Sequence, residues 1–564
     1  MRFEEYAYTR VDMNEFEKEF KNLLESFRTA NSFELQDNIM TQINEMRNSF
    51  ETMHALVSIR HSINTNDEFY DKENEYYDNA SPIYQGLIDT FYRDLVSSNF
   101  RKELEEKWGN LLFTIAETAL KTFDPAIIPD LQEENKLTSL YGKLLASAKI
   151  EFDGKINNLS QMTPYTQSMN RQTRKSASEA VTKFFEDNEK DLDEIYDKLV
   201  KLRHQMALKL GYENYVKLGY LRLGRSEYGP EEVAIFRRQV EKNLVPITVE
   251  LRKRQADRLG IDQLMYYDEN LEYNSGNAKP KGDREWMVKH ATTMYAELSP
   301  ETKEFFDFMV EKNLLDLDSK PGKRAGGYCT YIADYKSPFI FANFNGTSHD
   351  VDVLTHEAGH AFQVYSSRQY QVPEYMWPTL EACEIHSMSM EFLTWPWMNL
   401  FFENDETKYK FSHLAAGVLF IPYGVTVDEF QHFVYENPDA SPEERKAKWR
   451  EVERKYLPTK NYEDNAFLEK GGFWFRQGHI FGNPFYYIDY TLAQICAYQF
   501  WIKYNENPKE AWQDYLRLCK AGGSQPFLEL VKYAKLKSPF EEDTINFVSK
   551  PIRAWLDKID DKKM

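Results

Sequence analysis

The stretch His356-Glu357-Ala358-Gly359-His360 constrains this chain more than any other. Residues four apart lie on one face of a helix, so a helix here sets two imidazoles side by side. Two neutral imidazoles at that spacing can grip one metal ion, with Glu357 beside it to take a proton from a water activated there. The context favours a helix. Gly346-Thr347-Ser348 supplies a turn and a cap, and Val351, Leu354, Ala358, Ala361 and Phe362 follow a helical apolar period. On such a buried face, two unpaired histidines would be costly.

An open, hydrolytic metal site needs a third protein ligand. A continuation H-x-x-G-x-x-H is excluded, because those later positions hold Gln363 and Ser366. The next acidic candidates are Glu374, Glu381, Glu384 and Glu391. Glu374 follows Pro373 in a predicted loop, while Glu381 to Glu391 reads as one helix with apolar Ile385, Met388, Met390, Phe392 and Leu393. A carboxylate on such a helix needs a partner, and a metal is the strongest one. Glu384 is therefore chosen as the ligand, with Ser387 and Glu391 on the same face to support it and to orient an imidazole. Two nitrogens and one carboxylate suit Zn2+, one per chain, with one position left open.

These segments together resemble the thimet oligopeptidase and oligoendopeptidase F family of zinc peptidases, including its Pz-peptidase branch. The family pattern is H-E-x-G-H, then E-x-x-S-x-x-x-E about two dozen residues later. Glu384, Ser387 and Glu391 match the second half. Asp257 to Asp268, Gly326-Gly327-Tyr328, Pro338 to Phe344, Val427 to Gln431 and the His479 region add to the likeness. It covers residues 200 to 560 well, and residues 1 to 200 only by helical character.

The resemblance implies a mainly α fold: a zincin-type core with a small β-sheet, inside a helical clamshell that encloses a deep substrate channel. It implies internal cleavage of short unstructured peptides, collagen-derived ones among them, because a folded protein cannot thread such a channel. Phe475 to Tyr490 reads FRQGHIFGNPFYYIDY, a turn-rich loop followed by tyrosines. Peptide hydrolysis passes through an oxyanion, which a Tyr hydroxyl or protonated His near the metal can stabilise. His479, Tyr490 and Tyr487 are assigned that role, and Tyr486 a substrate contact. Pro338 to Phe344 reads as a strand beside the metal helix. As an edge strand it would add the substrate backbone to the sheet, which makes Phe341 and Asn343 substrate contacts.

The remaining composition narrows the class. With 70 basic and 90 acidic residues, the net charge is 70 − 90 = −20, which argues against nucleic acid. The cysteines Cys329, Cys383, Cys496 and Cys519 show no metal or disulfide spacing, which fits a reducing compartment. No basic-then-apolar leader opens the chain, and the uncharged run Leu414 to Val427 is too short to cross a bilayer. A cytoplasmic protein with no membrane partner is expected, as a monomer or homodimer.

Helical periodicity recurs through 33–63, 81–122, 135–152, 172–210 and 230–259, and Asn14 with Glu17 reads as a capping box. Strand character is confined to 326–344 and to Met265–Tyr267. The expected division is an N-terminal helical region, 1–200, and a catalytic region, 201–564. A dipeptide-releasing exopeptidase, a zinc amidase acting on non-peptide substrates and a metal-bearing peptide-binding scaffold are the rival readings; the presence of Glu357 argues against the last.

Overall fold

The computed structural model describes residues Met1–Met564. Helices dominate, and the strands are few and short. The first three long helices, Met13–Thr29, Phe33–Ile63 and Glu68–Val96, form an N-terminal bundle. Phe16, Phe20, Leu24 and Phe27 fall on one stripe and enter its core with Phe50, Tyr77 and Phe91. The first helix is capped by Asp12, which accepts from the Asn14 and Glu15 amides, so the capping residue lies two positions ahead of the expected Asn14.

Two small sheets exist. β1 (Ile150–Phe152) and β2 (Lys155–Asn157) form a hairpin across Asp153-Gly154, a turn signal the periodicity reading passed over. The second sheet holds β3 (Leu315–Asp318), β4 (Tyr328–Ile332) and β5 (Ser337–Phe344), in the order β3-β5-β4. β5 pairs parallel with β3 and antiparallel with β4. This corrects the expected edge position of Pro338–Phe344: both its edges are used, and β3 and β4 are the strands with a free side. Met265–Tyr267 is a turn rather than a strand. Asp268 accepts from the Met265 amide and is itself held by Arg171 and Arg174, which closes the chain on itself.

The catalytic region is built on four helices. His349–Ser367 carries the two histidines, and Leu380–Leu393 carries Glu384. Glu406–Glu436 and Tyr487–Glu506 pack against them. Residues 399–436 are long and apolar enough to cross a membrane by composition, but most of this stretch is buried inside the fold. The predicted cap at Ser348 makes no side-chain bond. Asp350, in the first turn, instead ties down the incoming loop, accepting from the Asn345 and Gly346 amides at 2.9 and 2.8 Å.

The N-terminal bundle grips the catalytic region through Glu374. Arg47 Nη2 lies 2.6 Å from Glu374 Oε1, and the Tyr92 hydroxyl donates to the same oxygen at 2.6 Å. Both charged side chains are buried, so each depends on the other. Arg47→Leu should strand the Glu374 carboxylate and destabilise the protein by about 3–5 kcal/mol. The urea midpoint of the variant should fall accordingly, and an unchanged midpoint would remove this pair as a clasp between the two parts.

Candidate metal centre

Gly359 sets the geometry of the site. A Cβ added there would stand 2.6 Å from Ser387 Cα and 2.7 Å from the His386 carbonyl oxygen. Glycine therefore lets the helix His349–Ser367 cross Leu380–Leu393 in near backbone contact. The crossing sets Glu384 against the two imidazoles. Glu384 Oε2 is 3.2 Å from His356 Nε2 and 3.3 Å from His360 Nε2. The three donor atoms lie within 4.8 Å of one another. The other acidic candidates are engaged elsewhere: Glu374 with Arg47 and Tyr92, Glu381 with the Tyr228 hydroxyl.

Two of the three donors are held from behind, while His360 Nδ1 has no hydrogen-bond partner within the protein. Ser387 Oγ donates to Glu384 Oε2 at 2.8 Å, and the Tyr486 hydroxyl donates to Glu384 Oε1. His356 Nδ1 lies 2.7 Å from Glu391 Oε1, and His413 Nε2 lies 2.7 Å from Glu391 Oε2. Trp395 Nε1 donates to His413 Nδ1 at 3.2 Å. An indole N–H can only donate. His413 Nδ1 must therefore accept, which leaves Nε2–H to donate to Glu391. Glu391 is then a carboxylate receiving two N–H groups, and His356 turns Nε2 toward Glu384. Burial works against the Glu391 carboxylate, but the two histidines outweigh it and hold its pKa down at about 2.

Glu357 is buried, and its Oε2 has no hydrogen-bond partner within the protein. Burial pushes its pKa above the ordinary carboxylate value, against the pull of His356 and His360. A Cβ on Gly327 would stand 3.3 Å from Glu357 Oε1, so the residue ahead of β4 lies against this carboxylate. Two imidazoles, one well-supported carboxylate and a second, free carboxylate fit a divalent metal of the zinc type with a base beside it.

The loop after Phe475 brings its residues to the same place. His479 Nε2 is 3.1 Å from the Tyr490 hydroxyl, and the His479 ring lies 5.4 Å from the Tyr486 ring and 5.0 Å from the Tyr487 ring. Gln477 Nε2 donates to His479 Nδ1 at 2.8 Å, so the imidazole is neutral with its proton on Nε2. Burial agrees, drawing the His479 pKa down to about 4. A protonated His479 is thus replaced by a neutral donor. Tyr487 makes edge-on contacts with Phe420 and Tyr423. Tyr486 meets Glu384 rather than open space.

Phe341 and Asn343 fall elsewhere. Phe341 is fully buried and stacks on Tyr328 at 4.8 Å. The Asn343 amide donates to the Arg324 and Gly326 carbonyls, both at 2.8 Å, and so shapes the loop entering β4. Both side chains follow from β5 being central.

Several working residues have no sequence signal. Phe485 holds a left-handed conformation (φ 65°) just ahead of the tyrosines. It is fixed there by Gln431 Oε1, which accepts from its amide at 2.9 Å, and by Arg225, which donates to its carbonyl and to Asp489 at 2.6 Å each. Gln431, Arg225, Trp395 and His413 act across long sequence separations, so no local pattern reveals them.

Comparison with known proteins gives the family. The model of "Peptidase family M3" matches residues 164–547, and that of "Peptidase M3 N-terminal domain" matches residues 3–123. The chain belongs to peptidase family M3. It is a metallopeptidase with the mainly α fold of that family. The solved structure of PZ peptidase A with an inhibitor is 57% identical, with a TM-score of 0.99, over 100% of both chains. An oligoendopeptidase F homolog of Lactococcus lactis subsp. lactis (strain IL1403) is 24% identical over 525 residues, covering 86% of this chain and 83% of that protein. One from Borreliella burgdorferi (strain ATCC 35210 / DSM 4680 / CIP 102532 / B31) is 24% identical over 422 residues, 71% of this chain and 69% of that protein.

Two outcomes test the site. Gly359→Ala should force the helices apart and weaken both folding and metal affinity; a variant with normal metal affinity would separate the crossing from the site. His413→Phe should lower zinc affinity by about 10- to 100-fold in a chelator competition, while His413→Gln, which keeps a donor to Glu391, should recover part of it. Equal affinities in all three proteins would remove the Trp395–His413–Glu391 chain from metal binding.

Proposed function

We propose that this M3 metallopeptidase is a zinc-dependent oligoendopeptidase cutting internal bonds of short, unstructured peptides. The observation that carries the reading is the convergence of His356 Nε2, His360 Nε2 and Glu384 Oε2 beside the buried, unpartnered Glu357. When bound by those three side chains, zinc supplies Lewis acidity to a peptide carbonyl and a water placed beside it.

The chain's own residues do the rest. Glu357 takes the proton of the attacking water and delivers it to the departing amine. Its raised pKa suits a group that must first accept and then give. Tyr490 and neutral His479 offer O–H and N–H donors to the developing oxyanion. Burial pushes the Tyr490 hydroxyl far above its ordinary pKa, so it keeps its proton. Tyr486 supports Glu384, and Tyr487 packs behind His479. Of the two edge strands, β4 is the one whose preceding Gly327 lies against Glu357, so its free side is where a substrate backbone adds, in place of β5.

Selection for short, unfolded peptides fits the open hollows that flank the N-terminal bundle. A cavity of about 480 Å³ lies between the helix Phe33–Ile63 and β4, and one of about 440 Å³ lies between that helix and Gly482–Pro484. Residues 1–200 form part of their walls and residues 201–564 carry the chemistry. Collagen-derived peptides belong among the test substrates. A cytoplasmic location goes with this reading, and Cys329, Cys383, Cys496 and Cys519 are free thiols.

Glu357→Gln should bind zinc as the wild type does and lose at least about 1,000-fold in kcat, read by elemental analysis and by cleavage of internally quenched peptides. Retained turnover would exclude Glu357 as the base. Glu384→Ala should bind zinc far more weakly in the same analysis, and unchanged affinity would move the third ligand elsewhere. Product masses from one substrate set decide between internal cuts and release of dipeptides from one end.

A further inference from the structure

A third cavity, of about 660 Å³, opens beside the catalytic residues, with Gln477, Tyr423, His413 and Asp352 in its wall. Gln477 ties this wall to the site: its Oε1 accepts from the Tyr423 hydroxyl at 2.8 Å, and its Nε2 donates to His479. The residue before it, Arg476, ends the short turn Gly472–Arg476 and also lines the cavity.

The other acidic and basic side chains around this cavity each have a polar partner. Glu269 is bridged by Arg252 at 3.3 Å and by Lys460 at 2.7 Å. Glu272 is paired with Arg258 at 2.8 Å. Asp352, on the His413 side, accepts from the Tyr409 hydroxyl at 2.6 Å. Arg476 has no such partner. The acid in its neighbourhood, Glu453, is taken by Arg450 at 3.1 Å and by the Tyr462 hydroxyl. Arg476 Nε is enclosed and makes no hydrogen bond. Its guanidinium carbon lies 4.1 Å from the centre of the Phe473 ring and 5.5 Å from that of Phe185.

Those rings fix the cation by cation–π contact, which leaves its N–H groups unused. Burial pulls the Arg476 pKa below the usual guanidinium value, yet an arginine stays charged at neutral pH. A half-buried, oriented and unpaired guanidinium is costly in an apoprotein, and its planar fork matches a carboxylate.

We propose that Arg476 receives a carboxylate of the bound peptide, either its C-terminal α-carboxylate or an acidic side chain. The proposal rests on the peptidase reading above and adds an anchor to it. A carboxylate held on Arg476 leaves the adjoining peptide chain to run along Gln477 toward His479 and Tyr490.

The test uses metal-loaded enzyme and peptides with one common cleaved core. One pair differs only by a free or amidated C-terminus. The second pair carries Glu or Gln at one position, with the C-terminus amidated. Wild type should favour the charged member of one pair by about 10- to 100-fold in kcat/KM. Preference in the first pair assigns the α-carboxylate, and in the second the side chain. Arg476→Leu should bring that ratio close to one, and Arg476→Lys should restore part of it. Arg476→Gln serves the same comparison if the Leu variant does not fold. A wild-type ratio near one in both pairs, or a preference that survives loss of the guanidinium, overturns the site. Cleavage of no peptide in the set overturns the underlying reading and the site with it.

Discussion

The near-contact of two helix backbones at Gly359 and Ser387 is what the rest of the site depends on. A side chain at Gly359 would overlap Ser387 Cα and the His386 carbonyl. Only with that approach does Glu384 reach both imidazoles while Ser387, one turn along, bonds to the same carboxylate. Helix periodicity then does the placing. Four residues bring His356 and His360 to one face, and seven bring Glu391 behind His356. The metal ligands are therefore positioned by two rigid helices rather than by loops, which suits a site that must hold its geometry through a reaction.

Around that crossing, buried polar groups decide protonation states. Trp395 can only donate, which fixes the tautomer of His413 and leaves Glu391 to accept from both His413 and His356 Nδ1. Gln477 does the same for His479, and burial keeps that imidazole neutral. The strained Phe485 sits where the chain turns into the tyrosine helix, and Arg225 and Gln431 hold it there. Glu357 is left without a protein partner at Oε2, which is the condition expected of a group whose partners are substrate atoms.

Much of this was legible in the sequence, for identifiable reasons. The two histidines declare themselves through a spacing that only a helix makes useful. Glu384 stands out because its apolar neighbours force burial on it. The helix Phe33–Ile63 coincides with its periodic segment. What could not be read depends on contacts distant in sequence. The central place of β5 has no local signal, since its partner β3, Leu-Asp-Leu-Asp, is too brief an alternation to read as a strand, and with β5 central Phe341 and Asn343 serve the sheet and a loop. The tyrosine order could not be settled from spacing, since Phe485 reverses the local backbone and sends Tyr486 to Glu384.

The most direct test of the account is metal content measured alongside peptide cleavage on one preparation. The account predicts one zinc per chain, loss of cleavage of short quenched peptides when chelator strips it, and return of cleavage on adding zinc. Cleavage that persists in fully stripped protein would contradict the assignment of His356, His360 and Glu384 on which the account stands.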